Sequence, residues 1–168
     1  SAASDVYKRQ VEDVALMFDA MLGESPKDPV SLPRPAGDSF LHYARSGWMP
    51  EKVAYSDDLG ITPVDPEVAA LCRKAAYRLQ EAGVIVEEAH PDLKEAHDCF
   101  AVLRAMSFAT AHAEKLAKHR DLLKPDVVWN IEKGLALGMH DIVRAEAQRA
   151  EMIRRTNDFF DSYDLLLC

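Results

Sequence analysis

Residues 52–88, KVAYSDDLGITPVDPEVAALCRKAAYRLQEAGVIVEE, read as strand, loop, helix, strand. Val53-Ala54-Tyr55 is a short apolar run, and Asp57, Asp58 and Gly60 after it are turn residues. Asp65 suits an N-cap and Pro66 the first helical position, where a missing N–H costs nothing. Val68, Leu71, Cys72, Ala75, Leu79 and Ala82 recur at the spacing of one buried helix face. Gly83 stands where a left-handed residue would end the helix, and Val84-Ile85-Val86 follows as a β-branched strand. A helix of about 17 residues between two strands is long enough for a crossover, which predicts parallel neighbours over Lys52–Ser56 and Val84–Glu87. The fold class expected is therefore α/β, with this parallel strand-helix-strand unit followed by a helical region.

The flanking sequence is divided by prolines and glycines. Val11, Val14, Ala15, Phe18, Met21 and Leu22 form one helical face that Gly23 stops, while Gln10 is a poor cap at its start. Residues 1–10, without a usable period, are expected to be a non-native leader rather than a native frayed terminus. Pro26, Pro29, Pro33, Pro35 and Pro50 exclude a long helix from Glu24 to Pro50. One short turn of helix is expected at Asp38–Ala44, with Phe40, Tyr43 and Trp48 pinning the segment to the core. Asp92 is placed as the cap of a helix carrying Leu93, Ala96, Phe100 and Leu103 on towards Leu116. Pro125 breaks that pattern, Val127 to Leu135 continue in a second helix, and Gly138 and Asp141 start a long last one. The terminal run Leu165-Leu166-Leu167-Cys168 reads as a strand buried on both faces, and the chain as cut at both ends.

Composition narrows the function classes. The 168 residues carry 20 basic and 28 acidic side chains, a net charge of −8, which argues against nucleic acid or an anionic membrane as partner. No apolar run approaches a membrane span. Three well-separated cysteines, Cys72, Cys99 and Cys168, fit reduced thiols and a cytoplasmic setting. Cys72 and Cys99 are expected as buried, inert thiols on helix faces.

No complete site can be read from the residues. Neither a P-loop nor GxGxxG occurs, and no two of the seven glycines are adjacent. His112 and His119 lie two turns apart on one helix without a cysteine or carboxylate to complete a ligand set, so no metal or other cofactor is expected. Asp57 and Asp58 follow a strand, where α/β sites often lie, although turn chemistry accounts for them as well. Arg144, Arg149, Arg154 and Arg155, set among Glu146 and Glu151, are expected to form a salt-bridged exposed face.

Four landmarks carry a resemblance. VEDVALMFDAMLG, then DPVS, then KVAYSDDLGITPVDPEVAALCRKAAYRLQEAGVIVEE and finally FFDSYDLLLC stand in the order and spacing of the amidase signature family. Val64-Asp65-Pro66-Glu67-Val68 and Phe160 to Leu167 match most closely. The resemblance implies an α/β/α fold around a large sheet, of which 11–168 would be a partial domain lacking the catalytic core. It further implies hydrolysis of carboxamide carbon–nitrogen bonds on a small-molecule amide. The family's machinery is a serine nucleophile, a second serine in a cis peptide, a lysine base and a glycine/serine-rich oxyanion loop. All of these precede the V-x-D-x-A helix, which here begins at Val11. No catalytic residue is therefore carried onto this chain. Two alternatives remain open. One is the amidotransferase component of the glutamyl-tRNA amidotransferase complex (its A subunit), weakened by His140 to Ala145 standing near where a tyrosine-rich string is expected. The other is a non-catalytic helical α/β interaction module. The oligomeric state is open.

Overall fold

A computed structural model describes residues 10–37 and 39–168, in two compact units divided after Met49. Expectations that fall on residues 1–9 and on Asp38 lie outside the described residues.

In the first unit, α1 spans Val11–Met21 and α2 spans Phe40–Arg45. Gln10 gives α1 no side-chain cap, as its chemistry predicts, and Gly23 leaves the helix at φ +139°. Ser39 caps α2 by accepting from His42 N at 3.1 Å. Of the three aromatic pins expected, only Phe40 meets another apolar ring among the described residues, Phe18, at 5.8 Å between centroids. Tyr43 and Trp48 are exposed, Trp48 at 62%. Polar bonds tie the two helices together instead. The Asp19 carboxylate accepts from Phe40 N at 2.9 Å, Leu41 N at 3.1 Å and Arg34 at 2.9 Å, and Arg45 pairs with Glu12 at 2.7 Å.

The second unit is built on a parallel sheet of three strands in the order β2-β1-β3, with β1 at Lys52–Tyr55, β2 at Ile85–Glu88 and β3 at Leu165–Leu167. Val53 pairs with Val86 on one side and Leu165 on the other, so the three strands alternate in phase. One face carries Val53, Tyr55, Val86 and Leu167 into a core closed by Ala76, Tyr77 and Leu79 of the crossover. Ala54, pointing the other way, is equally buried. The strand β1 is thus covered on both faces, which suits its unbroken apolar run.

The crossover helix α3, Pro66–Tyr77, tightens into a 3-10 turn over Arg78–Ala82 before Gly83 reverses the chain at φ +88°. Asp65 caps it, accepting from Glu67 N at 2.9 Å. Its buried face differs from the expected one. Ala76 and the partly buried Ala69, Arg73, Tyr77 and Leu79 face the sheet, whereas Leu71 is 63% exposed and Val68, Cys72, Ala75 and Ala82 are also exposed. Small residues let the helix lie close to the strands, and Tyr55 and Tyr77 fill the space at 6.3 Å between ring centroids. Cys72 is therefore an exposed thiol, not a buried one.

Three helices follow: α4 (Ala96–His119), α5 (Pro125–Leu135) and α6 (Met139–Phe160). Asp92 does not cap α4; it accepts from Lys94 N at 3.2 Å in a turn, and the helix starts at Ala96. Phe100 is exposed as well, because small residues form the seam of this bundle. Ala105 and Ala145 are almost fully buried, and the Cys99 thiol donates to the Ala145 carbonyl at 3.3 Å. Burial pushes that thiol's pKa up. Gly134 of α5 lies against α4 so closely that a Cβ there would stand 2.0 Å from the Ala105 carbonyl oxygen. Asp141 reaches back to Gly138 N at 3.1 Å and starts α6 where expected. Among the described residues no helix is long and apolar enough to cross a membrane.

The strand β3 is seated by its approach. The Asp164 carboxylate accepts from Glu51 N at 2.8 Å and Lys52 N at 2.9 Å, and Leu167 O accepts from Ser56 N at 3.0 Å. Tyr163 adds a hydrogen bond to Glu87 at 2.9 Å, under the Lys52 ammonium 4.8 Å from its ring. Contrary to expectation β3 is not buried on both faces: among the described residues it pairs with β1 alone, Leu165 is exposed and its neighbours are half-buried.

Candidate functional site

Parallel strands present their carboxyl ends together, and that is where α/β folds hold ligands. Here β1 and β2 end beside a cavity of about 530 Å³ lined by Tyr55, Ser56, Asp57, Arg73, Glu88 and His90. Asp57, one of the two aspartates singled out in the sequence, is bonded to two of the other lining side chains. Its carboxylate accepts from the Tyr55 hydroxyl and from Arg73, and Arg73 also pairs with Glu88. The hydrogen bonds from Tyr55 and Arg73 hold Asp57 below its ordinary pKa. Burial, then the Asp57 hydrogen bond, pushes Tyr55 up to about 12.

Asp58 also lines the cavity, but its polar bonds go to the turn. Its Oδ1 accepts from Gly60 N at 2.7 Å, and its carbonyl accepts from Ile61 N and Thr62 N. Ser56 Oγ accepts from Leu59 N at 2.9 Å, holding Leu59 at φ +53°. Gly60, at φ +70°, lies under the His90 ring, where an added Cβ would come within 2.5 Å of Cε1.

This arrangement lacks the parts of a nucleophilic site. Tyr55 stays protonated at neutral pH, Asp57 has its oxygens engaged, and Arg73 is neutralised by two carboxylates. Ser56 spends its oxygen on the turn, and no serine hydroxyl is hydrogen-bonded to a lysine amine among the described residues. The cluster ties α3 to the ends of β1 and β2.

The remaining candidates are scattered. His112 stacks edge-on against Phe108 at 5.8 Å, with its Nδ1 buried and unpaired, and His119 is exposed at the other end of the same two turns. No group of side chains suited to a metal occurs among the described residues. The arginines of α6 divide. Arg144, Arg149 and Arg154 pair with Asp141, Glu146 and Glu151 on the exposed face, as expected. Arg155, its side chain only 16% exposed, turns inward to Glu95 at 2.5 Å and the Asp92 carbonyl at 3.0 Å. It fastens α6 to the turn before α4. Sequence reasoning missed Arg73, Glu88 and His90 at the cavity. The signal available was the Ala69, Arg73, Ala76 spacing, hidden beside the more apolar stripe next to it.

Comparison with known proteins gives this architecture its relatives. The Amidase family model matches residues 5–168. An acylamidase of Rhodococcus erythropolis is 31% identical over 173 residues, covering 95% of this chain and 34% of that protein. The A subunit of glutamyl-tRNA(Gln) amidotransferase from Picosynechococcus sp. is 35% identical, but over 83 residues, which cover 48% of this chain and 17% of that protein. The crystal structure of a bacterial aryl acylamidase of the amidase signature family superposes with a TM-score of 0.80 at 23% identity, over 94% of this chain and 34% of that one. The chain thus spans about a third of the length of the acylamidase it matches. With the family match running through nearly every element described above, the chain belongs to the amidase family.

Proposed function

We propose that this chain is a segment of an amidase that hydrolyses carboxamide carbon–nitrogen bonds on a small molecule, and that residues 11–168 form part of its domain. The observation that carries the reading is the continuous family match over residues 5–168. The serine nucleophile, its serine partner and the lysine base belong to a part of the polypeptide outside this chain. There the serine would attack the amide carbonyl, the lysine would take its proton through the second serine, and backbone amides would hold the oxyanion. This chain's contribution is scaffold: β1 with its flanking strands, and the helices that cover them. The names of the relatives favour an acyl-amide substrate over glutamine, and so does the shorter amidotransferase match. Three unpaired thiols support a reducing, cytoplasmic setting, and the charge of −8 supports a partner set without nucleic acid.

Fluorophosphonate labelling tests the assignment. The chain by itself is expected to remain unlabelled and to hydrolyse acyl-amides at background, since losing such a catalytic unit costs about 10⁶ in kcat. A longer polypeptide containing it is expected to label at one serine outside the chain. Stoichiometric labelling of any serine within it would overturn the reading.

A further inference from the structure

The groove between α4 and α5 brings exposed aromatic rings and unpaired cations together. It has a volume of about 310 Å³ and is lined by Phe100, Arg104, Asp126, Trp129, Asn130 and Lys133. Phe100 is 61% exposed and Trp129 58%, large rings facing outward on adjoining helices. Exposed apolar surface rimmed by polar groups marks binding surfaces. Each ring carries a cation. The Arg104 guanidinium lies 5.7 Å from the Phe100 ring and 5.4 Å from that of Phe108, and Lys133 Nζ lies 4.9 Å from Trp129. A cation over a ring is held in place while its N–H donors stay free.

Neither cation has a carboxylate partner among the described residues, although Asp126 lines the same groove. On α6, by contrast, Arg144, Arg149 and Arg154 each hold one. Two cations line this one groove against a single carboxylate, that of Asp126, and neither is paired among the described residues, so the groove suits an anion from outside. The depth of the groove decides what kind. Small-ligand sites enclose most of their ligand, and rings left more than half exposed cannot. A protein segment brings its own cover, and Trp and Arg are the residues that dominate such contacts. We propose that the α4–α5 groove docks an acidic amphipathic segment of a partner protein. Its apolar side chain would seat between Phe100 and Trp129, with its carboxylates on Arg104 and Lys133. The proposal goes beyond the amidase reading and requires the groove to stay open in the longer polypeptide of which this chain is proposed to be a segment.

The test uses the full chain carrying Trp48→Phe, so that Trp129 is the one reporter. It is titrated with a synthetic amphipathic helix bearing Phe and Leu on one face flanked by Glu, and with the same peptide bearing Lys for Glu. Saturable change in Trp129 fluorescence with the Glu peptide only, weakened by salt, is the expected result. Arg104→Gln and Lys133→Gln keep the side-chain stems, and each is expected to weaken binding about tenfold with helix content unchanged by circular dichroism. Charge reversal at both positions should transfer binding to the Lys peptide. Equal binding of the two peptides, or of the Gln variants and the parent, would overturn the proposal. So would a Trp129 already shielded from iodide in the longer polypeptide without peptide, which would assign the groove to that polypeptide's own remainder.

Discussion

Gly134 shows what one missing methyl group does in this fold. Its Cα lies against the α4 backbone, and the Ala105 carbonyl occupies the place where a Cβ would go. Alanine is the better helix former by ~1 kcal/mol. Here that gain is outweighed, because backbone cannot swing aside as a flexible side chain can. Gly134→Ala is expected to cost ~3 kcal/mol from forced helix separation, seen as a lower urea midpoint with an unchanged slope; a midpoint at or above the parent's would refute the close contact. The Tyr55–Asp57 pair makes a second prediction at this scale, with opposite signs at the two ends of the pH range. Asp57 is held below its usual 3.8, so the stability it contributes is present above that pH and lost as pH falls through the lower folded value. Tyr55 moves from 10.0 to about 12, so its contribution is present below pH 10 and lost as pH rises from there to about 12. Ultraviolet titration should show a tyrosine ionising near pH 12 that Tyr55→Phe removes. Ionisation of Tyr55 near 10 would contradict the buried hydrogen bond.

The elements owe their positions to a few side chains at their ends. Asp65 satisfies the first amide groups of α3, and Asp65→Ala is expected to cost about 1 kcal/mol, the ordinary worth of such a cap. Asp164 does comparable work for β3, reaching across 113 residues of sequence to the backbone just before β1. Asp164→Ala leaves two backbone donors to water and loosens the third strand, at a cost of about 1–3 kcal/mol. Hydrogen exchange locates the effect. The Ser56 amide, bonded to Leu167 O, should exchange faster in the variant, while Ala89 N, bonded to Tyr55 O on the β2 side, should keep its protection. Equal acceleration at both sites would mean that Asp164 supports the sheet as a whole rather than β3.

For the whole molecule the telling feature is how much apolar surface lies outside. Leu71, Val68, Phe100, Trp129 and Ile153 are all substantially exposed. Apolar area left in water forgoes ~25 cal/mol per Å², so a few hundred Å² amounts to several kcal/mol, set against a usual total of ~5–15 kcal/mol. The chain studied by itself is accordingly expected to bind ANS and to unfold over a broad range. A sharp, reversible transition above ~60 °C without ANS binding would show these faces to be tolerated by a self-sufficient fold.

What the amino-acid sequence determined is everything encoded by short-range chemistry. The Asp65-Pro66 start, the Gly83 reversal, the break at Pro125 and the start at Gly138 and Asp141 each depend on one residue's backbone preference or one local hydrogen bond. All four were legible, as were the parallel pairing of β1 with β2 and the family motifs around them. Tertiary structure decided which face of α3, and of the start of α4, turned inward, whereas Ala15 of α1 and Ile131 of α5 are buried as their apolar spacing predicts. Hydrophobicity favoured Val68, Leu71 and Cys72 on α3 and Phe100 on α4. The fold buried Ala76 and Ala105 in their place, because close approach of backbones rewards small side chains that no hydropathy pattern ranks highly. The same long-range geometry drew Arg73 and Glu88 around Asp57 and turned Arg155 away from the arginine row on its own helix. Such clusters join residues from separate elements, and spacing along the chain carries no record of them.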